Sequence, residues 1–169
     1  DILRQISKKE IEDDQFINLV KVEDILVEIV SSFEEVSDKE INLITKEDKN
    51  KINIKRSPEI VYGLKNFVGN AIKFSEKKID INLKSNNEVI SILINDDGPG
   101  FTEDVIKFIG EPYLKSKSKE INSKAGLGLG IFLGKTLLEK KKSTLNFANS
   151  NNAKGAEVTI SWKIEDIKN

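Results

Sequence analysis

Asn66, Asn70 and Lys73 stand four and three residues apart, the spacing that puts side chains on one face of an α-helix. Amide oxygens are hard ligands that suit Mg2+, an ion that keeps several waters and shares its other positions with phosphate oxygens. An ammonium beside them adds positive charge. The same three residues would equally make the solvated side of an amphipathic helix. Asp96-Asp97-Gly98-Pro99-Gly100-Phe101 follows a stretch with Ile at alternate positions. A carboxylate at a strand end can accept a hydrogen bond from a ligand amine, and the glycines after it allow close backbone approach; the same residue types also dominate ordinary turns. Gly126-Leu127-Gly128-Leu129-Gly130 stands where a helix begins. Glycine costs helix stability, so three in a row at alternate positions ask for a reason. Bare N–H groups at a helix N-terminus hold phosphate oxygens; a tight helix–sheet contact would also explain them. Between the two glycine motifs, Lys115, Lys117, Lys119 and Lys124 lie among serines, as a solvated loop or as a basic lid over phosphates.

Other chemistries are excluded. The chain has no Cys and no His, so thiolate nucleophiles, disulfides, imidazole bases and His metal sites are absent. Gly134-Lys135-Thr136 resembles the end of a P-loop, but the glycine needed five residues earlier is Leu129 and the segment lies inside an amphipathic helical pattern. There is no GxGxxG fingerprint.

Those residues need elements to position them. The pattern predicts a short strand within Gln15–Val20 and a helix over Val22–Phe33, with Val22, Ile25, Leu26, Ile29 and Val30 at helical spacing. Ile41–Ile44 and Ile52–Ile54 read as short strands joined by a charged turn, Lys46–Lys51. Ser57-Pro58 reads as an N-cap followed by Pro at the first helical position, opening a helix that runs to about Ser75. Its apolar stripe (Ile60, Val61, Leu64, Phe67, Val68, Ala71, Ile72) lies roughly 160° from the Asn66 face at 100° per residue. Ile79, Ile81 and Leu83, then Ile90, Ile92 and Ile94, alternate with polar residues on either side of Asn86-Asn87, as in an antiparallel hairpin. A short helix over Thr102–Ile109, a long loop over Gly110–Ala125, a helix over Leu127–Lys141 and strands over Thr144–Ala148 and around Val158–Trp162 complete the reading. One sheet face packs on helices and the other meets solvent.

At 169 residues the chain is about one domain and can bury a sizeable core. Lys+Arg 27 against Asp+Glu 28 argues against a dedicated nucleic-acid binder. No run reaches the roughly 18 apolar residues that span a bilayer and no signal-peptide pattern opens the chain, so the expected location is cytoplasmic without direct membrane contact. The start at Asp1, mid-pattern and without Met, reads as a piece of a longer protein, whose remainder can be anchored in an inner membrane. Residues Ile2 to Ile11 read as the end of a charged helix.

Taken in order, NFVGNAIKFS, DDGPGF, GEPYLKSKS and AGLGLGIFLGKTLLE resemble the N, G1, F and G2 boxes of the catalytic ATP-binding domain of sensor histidine kinases. These domains sit within the wider superfamily of gyrase, heat-shock-chaperone, histidine-kinase and mismatch-repair ATPases. The resemblance covers about Gln15 to Trp162. The spelling GEPY, GLGLGIFLGKTLLE and the closing AEVTISW are most similar to redox-responsive regulatory kinases of the RegB/PrrB type. The resemblance implies an α+β, two-layer α/β sandwich of the Bergerat type. Its sheet is mixed but mostly antiparallel, with helices on one face and a mobile ATP lid. It implies that residues 1–14 are the tail and linker of a dimerisation and phosphoacceptor helix and that 15–169 form the ATP-binding catalytic domain.

Residue by residue, the resemblance implies that Asn70 coordinates Mg2+, that Asn66 lies near the phosphates and that Lys73 contacts them. Asp96 takes the adenine amino group, while Gly98 and Gly100 shape the adenine pocket. Tyr113 is the F-box aromatic and Lys117 the basic residue after it. Gly126, Leu127 and Gly128 face the triphosphate. Asn70, Lys73 and Lys117 are the expected catalytic group. Lys124-Ala125 stands where many members have Gly-Thr, so the lid lacks a hinge glycine and gains a charge. The implied activity is protein-histidine kinase, with ATP and Mg2+, a phosphoacceptor His on the dimerisation domain of the same parent, and a response regulator as next acceptor. With no His of its own, this chain is expected to bind nucleotide without autophosphorylating. Two other readings stay open: a different ATPase of the superfamily, including a serine kinase acting on an anti-sigma-type partner, and a nucleotide-responsive interaction module without catalysis.

Overall fold

The computed structural model of the chain describes Ile2, residues 19–109 and residues 130–168. The alternating Ile/Leu rows build a five-stranded sheet. Its strands are β2 (Glu40–Asp48), β4 (Lys78–Ser85), β5 (Val89–Asp96), β6 (Thr144–Asn149) and β7 (Ala156–Lys163), in the order β2-β4-β5-β7-β6. β2 and β4 run parallel and every other neighbouring pair is antiparallel. A separate two-stranded ribbon pairs β1 (Leu19–Lys21) with β3 (Asn53–Lys55).

Helix α1 (Val22–Glu34), α2 (Pro58–Phe74) and α4 (Gly130–Glu139) cover one face of the sheet. The inward rows Ile79-Ile81-Leu83, Ile90-Ile92-Ile94 and Val158-Ile160-Trp162 bury against Ile25, Leu26 and Ile29 of α1 and Leu64, Phe67 and Val68 of α2. At about 1.5–3 kcal/mol for each fully buried large apolar side chain, this one interface dominates the fold's stability. The opposite sheet face carries Asp80, Asn82, Ser91, Asn95, Thr159 and Ser161, all half-buried; it meets solvent as its polar row requires. Short helices α3 (Glu103–Ile109) and α5 (Ile164–Ile167) complete the described elements.

Helix α2 is specified at both ends. The Ser57 side chain accepts from Ile60 N at 3.3 Å and Pro58 opens the first turn. At the other end, Ser75 Oγ donates to the Ile72 carbonyl at 2.7 Å, and Lys39 Nζ donates to the carbonyls of Ser75 and Glu76 at 2.6 and 3.0 Å. A cation there satisfies exposed carbonyls and complements the helix dipole.

Two sequence expectations change. The charged segment Lys46–Asp48 belongs to strand β2 instead of a turn, because β2 continues past a bulge to pair Glu47 with Lys84 and Asp48 with Ser85. Asp48 is buried, and Ser85 Oγ donates to it at 2.5 Å. The helix expected to run to Lys141 ends at Glu139, and Lys142 adopts φ +66° after it. The expected loop over Gly110–Ala125, the residues Leu127–Leu129 and all of Ile2–Ile11 but Ile2 lie outside the described residues.

Candidate nucleotide site

The apolar stripe of α2 turns its opposite face outward, and that face carries Asn66, Asn70 and Lys73. The three line a cavity of about 310 Å3 together with Phe33, Tyr62, Lys65 and Gly69. Asn66 donates its Nδ2 to the Tyr62 carbonyl at 2.9 Å, leaving Oδ1 without a partner among the described residues. The Asn70 side chain, half-buried, makes no hydrogen bond to any described residue. Lys73 lies 5.5 Å from the centroid of the Phe74 ring. Gly69 brings α2 close to Phe33: a Cβ on it would stand 3.1 Å from Phe33 Cζ, so the ring would have to shift by a few tenths of an ångström.

Asp96 ends the inward row of β5. It is 8% exposed, and its Oδ1 accepts from Gly98 N at 2.9 Å and from Ala156 N at 3.3 Å. Oδ2 has no partner among the described residues. Burial pushes the Asp96 carboxyl above its ordinary range; the two backbone donors oppose this and neighbouring Asp97 adds to it. Asp97 does a different job. Its carboxylate accepts from the N–H groups of Glu76, Lys77 and Lys78 at 2.7–3.3 Å. Burial is the largest single influence and pushes the carboxyl up, but the backbone donors together outweigh it and hold the group below the usual carboxylate value.

This clasp brings the two motifs together. A Cβ on Gly98 would sit 2.1 Å from the Phe74 carbonyl oxygen, so only glycine lets the turn lie on the C-terminal end of α2. Phe74 is one helical turn beyond Asn70. The turn is also pinned from behind: Phe101 N donates to Asn149 Oδ1 at 2.7 Å and Asn149 Nδ2 donates to the Phe101 carbonyl at 2.8 Å. Gly100 (φ +82°) stands close against the same Asn149 side chain.

Asn66, Asn70 and Lys73 share one cavity; Asp96 borders a second groove of about 550 Å3 with Asp97, Asn95 and Glu157, and the two share no described lining residue. Gly98 against Phe74 is the link. Tyr113, Lys117, Gly126, Leu127 and Gly128 lie outside the described residues. Sequence reading missed Gly155, whose φ is +114° and whose Cβ would lie 1.8 Å from the Asp96 carbonyl oxygen. It also missed Asn149. A glycine just before the last strand was the available signal for the first; nothing local marks the second. The rejected P-loop look-alike is also accounted for: a Cβ on Gly134 would meet Phe67 at 3.0 Å and the Gly63 carbonyl at 3.2 Å, so this glycine lets α4 cross α2 closely.

Residues 56–166 match the family described as histidine kinase-, DNA gyrase B- and HSP90-like ATPase. The chain is 36% identical over 102 residues to the sensor histidine kinase RegB of Cereibacter sphaeroides, covering 57% of this chain and 22% of that protein. It is 30% identical over 141 residues to the heme sensor protein HssS of Staphylococcus saprophyticus, covering 82% of this chain and 30% of that one. It thus spans less than a third of these relatives' length. Its fold superposes on the catalytic domain of histidine kinase ThkA with a TM-score of 0.68 at 18% identity, covering 86% of this chain and 94% of that one. The histidine kinase domain of the E. coli osmosensor EnvZ gives 0.63 at 20%, covering 86% and 88%. At these identities the structural likeness speaks to the fold alone. Membership in an ATPase family implies ATP binding. The chain belongs to the histidine kinase-, DNA gyrase B- and HSP90-like ATPase family and is the kind of domain that sensor histidine kinases carry.

Proposed function

We propose that this chain is the ATP-binding catalytic domain of a two-component sensor histidine kinase. It would hold ATP with Mg2+ and deliver the γ-phosphoryl group to a His outside this sequence, from which it passes to an Asp of a response regulator. The observation that carries the reading is the buried Asp96 carboxylate, whose Oδ2 has no partner among the described residues, clasped through Gly98 onto the end of the helix that presents Asn66, Asn70 and Lys73.

On this reading Asp96 Oδ2 accepts a hydrogen bond from the adenine amino group, and Gly98 and Gly100 keep the wall thin enough for the base to approach. Adenine at the C-terminal end of α2 leaves the phosphates to run back along the Asn face. The donor set fits Mg2+: neutral amide oxygens, no crowding carboxylate in the cavity among the described residues, and room for water and phosphate oxygens. Bound there through Asn70, the ion supplies charge neutralisation and fixed geometry for the phosphates. Asn66 and Lys73 would orient the γ-phosphoryl group and draw off its developing charge, the main work in phosphoryl transfer. Tyr113, Lys117, Gly126, Leu127 and Gly128 would close over the triphosphate. The acceptor nitrogen attacks γ-phosphorus while the bond to the β,γ-bridging oxygen breaks and ADP leaves. Residues 1–14 would lead in from the phosphoacceptor helices, with 15–169 the catalytic domain on the cytoplasmic side. Among the described residues no helix is long and apolar enough to cross a membrane.

Incubation with γ-labelled ATP tests this reading. The chain alone should stay unlabelled, and a longer version of the protein carrying the segment upstream should take up acid-labile, base-stable phosphate on His. Acid-stable phosphate on a Ser of a partner would move the chain to the serine-kinase reading. No transfer by the longer protein, despite ATP binding, would leave an interaction module.

A further inference from the structure

The cavity beside Asn66 and Asn70 contains a cation that the proposed site does not use. Lys65 lines it together with Lys73, and among the described residues no acidic side chain does. Lys65 is exposed and its side chain makes no hydrogen bond or ion pair with any described residue. The acid that would neutralise it is Glu28 on α1. Glu28 is already held by Arg56, whose Nη1 and Nη2 each donate to one of its oxygens at 2.9 Å. That fork holds the Glu28 carboxyl below its ordinary value, with burial opposing and Lys65 contributing as a more distant charge. A bidentate guanidinium–carboxylate pair is the stronger of the two possible pairings. The Arg56–Glu28 pair therefore keeps Lys65 available.

Position supplies the direction. The Asp96 turn rests on Phe74 at the C-terminal end of α2. Lys65 lies nine residues earlier, about 14 Å along the axis at 1.5 Å per residue, beyond Asn70 and beside Asn66. A nucleotide with its base at Asp96 and its phosphates over Asn70 points its far end at Lys65.

We propose that Lys65 is a terminal-phosphate residue that lets the site discriminate a nucleoside triphosphate from the diphosphate, and that the Arg56–Glu28 pair positions it by occupying the competing carboxylate. This rests on the nucleotide reading above.

The test is calorimetric titration of ATP and ADP, each with Mg2+, into wild type, Lys65→Gln, Arg56→Gln and the double variant. Lys84→Gln, on the hairpin, controls for net charge. Loss of one charge-assisted contact to phosphate predicts that Lys65→Gln binds ATP about five- to tenfold more weakly and binds ADP as wild type does. Arg56→Gln frees Glu28 to pair with Lys65 and should weaken ATP in the same direction. In the Lys65→Gln background, Arg56→Gln should add nothing. Equal ATP-to-ADP ratios in wild type and Lys65→Gln overturn the proposal, as does an Arg56→Gln effect that persists without Lys65. Wild type that binds neither nucleotide sinks the site reading itself, a distinguishable outcome.

Discussion

Replacing Gly98 by Ala adds one methyl group and should damage both stability and nucleotide binding. The new Cβ would lie 2.1 Å from the Phe74 carbonyl oxygen and 3.1 Å from Asp96 Oδ1, so the turn must back away until the first distance passes 3.0 Å. The obstacle is helix backbone held by capping bonds, which cannot swing aside as a side chain would. Retreat of the turn pulls on the bond from Gly98 N to Asp96 Oδ1 at 2.9 Å. It also pulls on the Asp97 carboxylate, which accepts three consecutive N–H groups. Overpacking costs about 1–3 kcal/mol, and weakening one or two such hydrogen bonds adds about 1 kcal/mol each. A total of about 2–5 kcal/mol corresponds to about 1–2.5 M in the urea midpoint for a chain of this size. Equilibrium urea unfolding followed by Trp162 fluorescence reads the stability, and ATP titration of the folded variant reads the site. A Gly98→Ala protein within about 0.5 kcal/mol of wild type that binds ATP normally would refute the clasp.

Three further outcomes follow from the same structure. Asp96 has a raised folded-state pKa, so the folded chain holds this proton more tightly than the unfolded chain does. The resulting stability is present below the ordinary carboxylate pKa and is lost as pH rises through the folded-state value. Asp96→Asn keeps an acceptor for Gly98 and Ala156 without the buried charge, so in urea unfolding it should be more stable than wild type at pH 7 and converge with it in acid; a gain that grows as pH falls would contradict the assignment. Lys135, which pairs with Glu139 at 3.4 Å on α4, stands outside the proposed phosphate face: Lys135→Ala should leave ATP affinity within about twofold, whereas Gly63→Ala, whose Cβ would meet Leu138 Cγ at 2.6 Å, should cost about 1–3 kcal/mol in the same unfolding assay.

Local chemistry was legible in the sequence. Ser57-Pro58 set the start of α2, the alternating isoleucines set the β4–β5 hairpin around Asn86-Asn87, and the 3.6-residue period placed the Asn face opposite the buried stripe. Long-range partnerships were not. The parallel pairing of β2 with β4 depends on a crossover through α2, and the separate β1–β3 ribbon on a return of the chain past α1 and β2; no local pattern encodes either. Lys46–Asp48 looks like a turn because its charges fit a turn; it is strand because Ser85 waits across the ladder to satisfy Asp48. Gly155 and Asn149 act on residues more than forty positions away, and Gly134 is needed only because α2 passes beside it. Each is a tertiary contact whose reason lies in another element.

The central claim is that Asp96 reads the base while the Asn66–Asn70–Lys73 face holds the phosphates. Calorimetric titration of ATP and GTP, each with Mg2+, into wild type, Asp96→Asn and Asn70→Asp tests it directly. The account predicts ATP binding well above GTP, because a guanine presents a carbonyl to a carboxylate that needs a donor. It also predicts loss of ATP affinity in Asp96→Asn and an altered Mg2+ dependence in Asn70→Asp. Equal affinity for the two nucleotides, or an Asp96→Asn protein that binds ATP as wild type does, would contradict it.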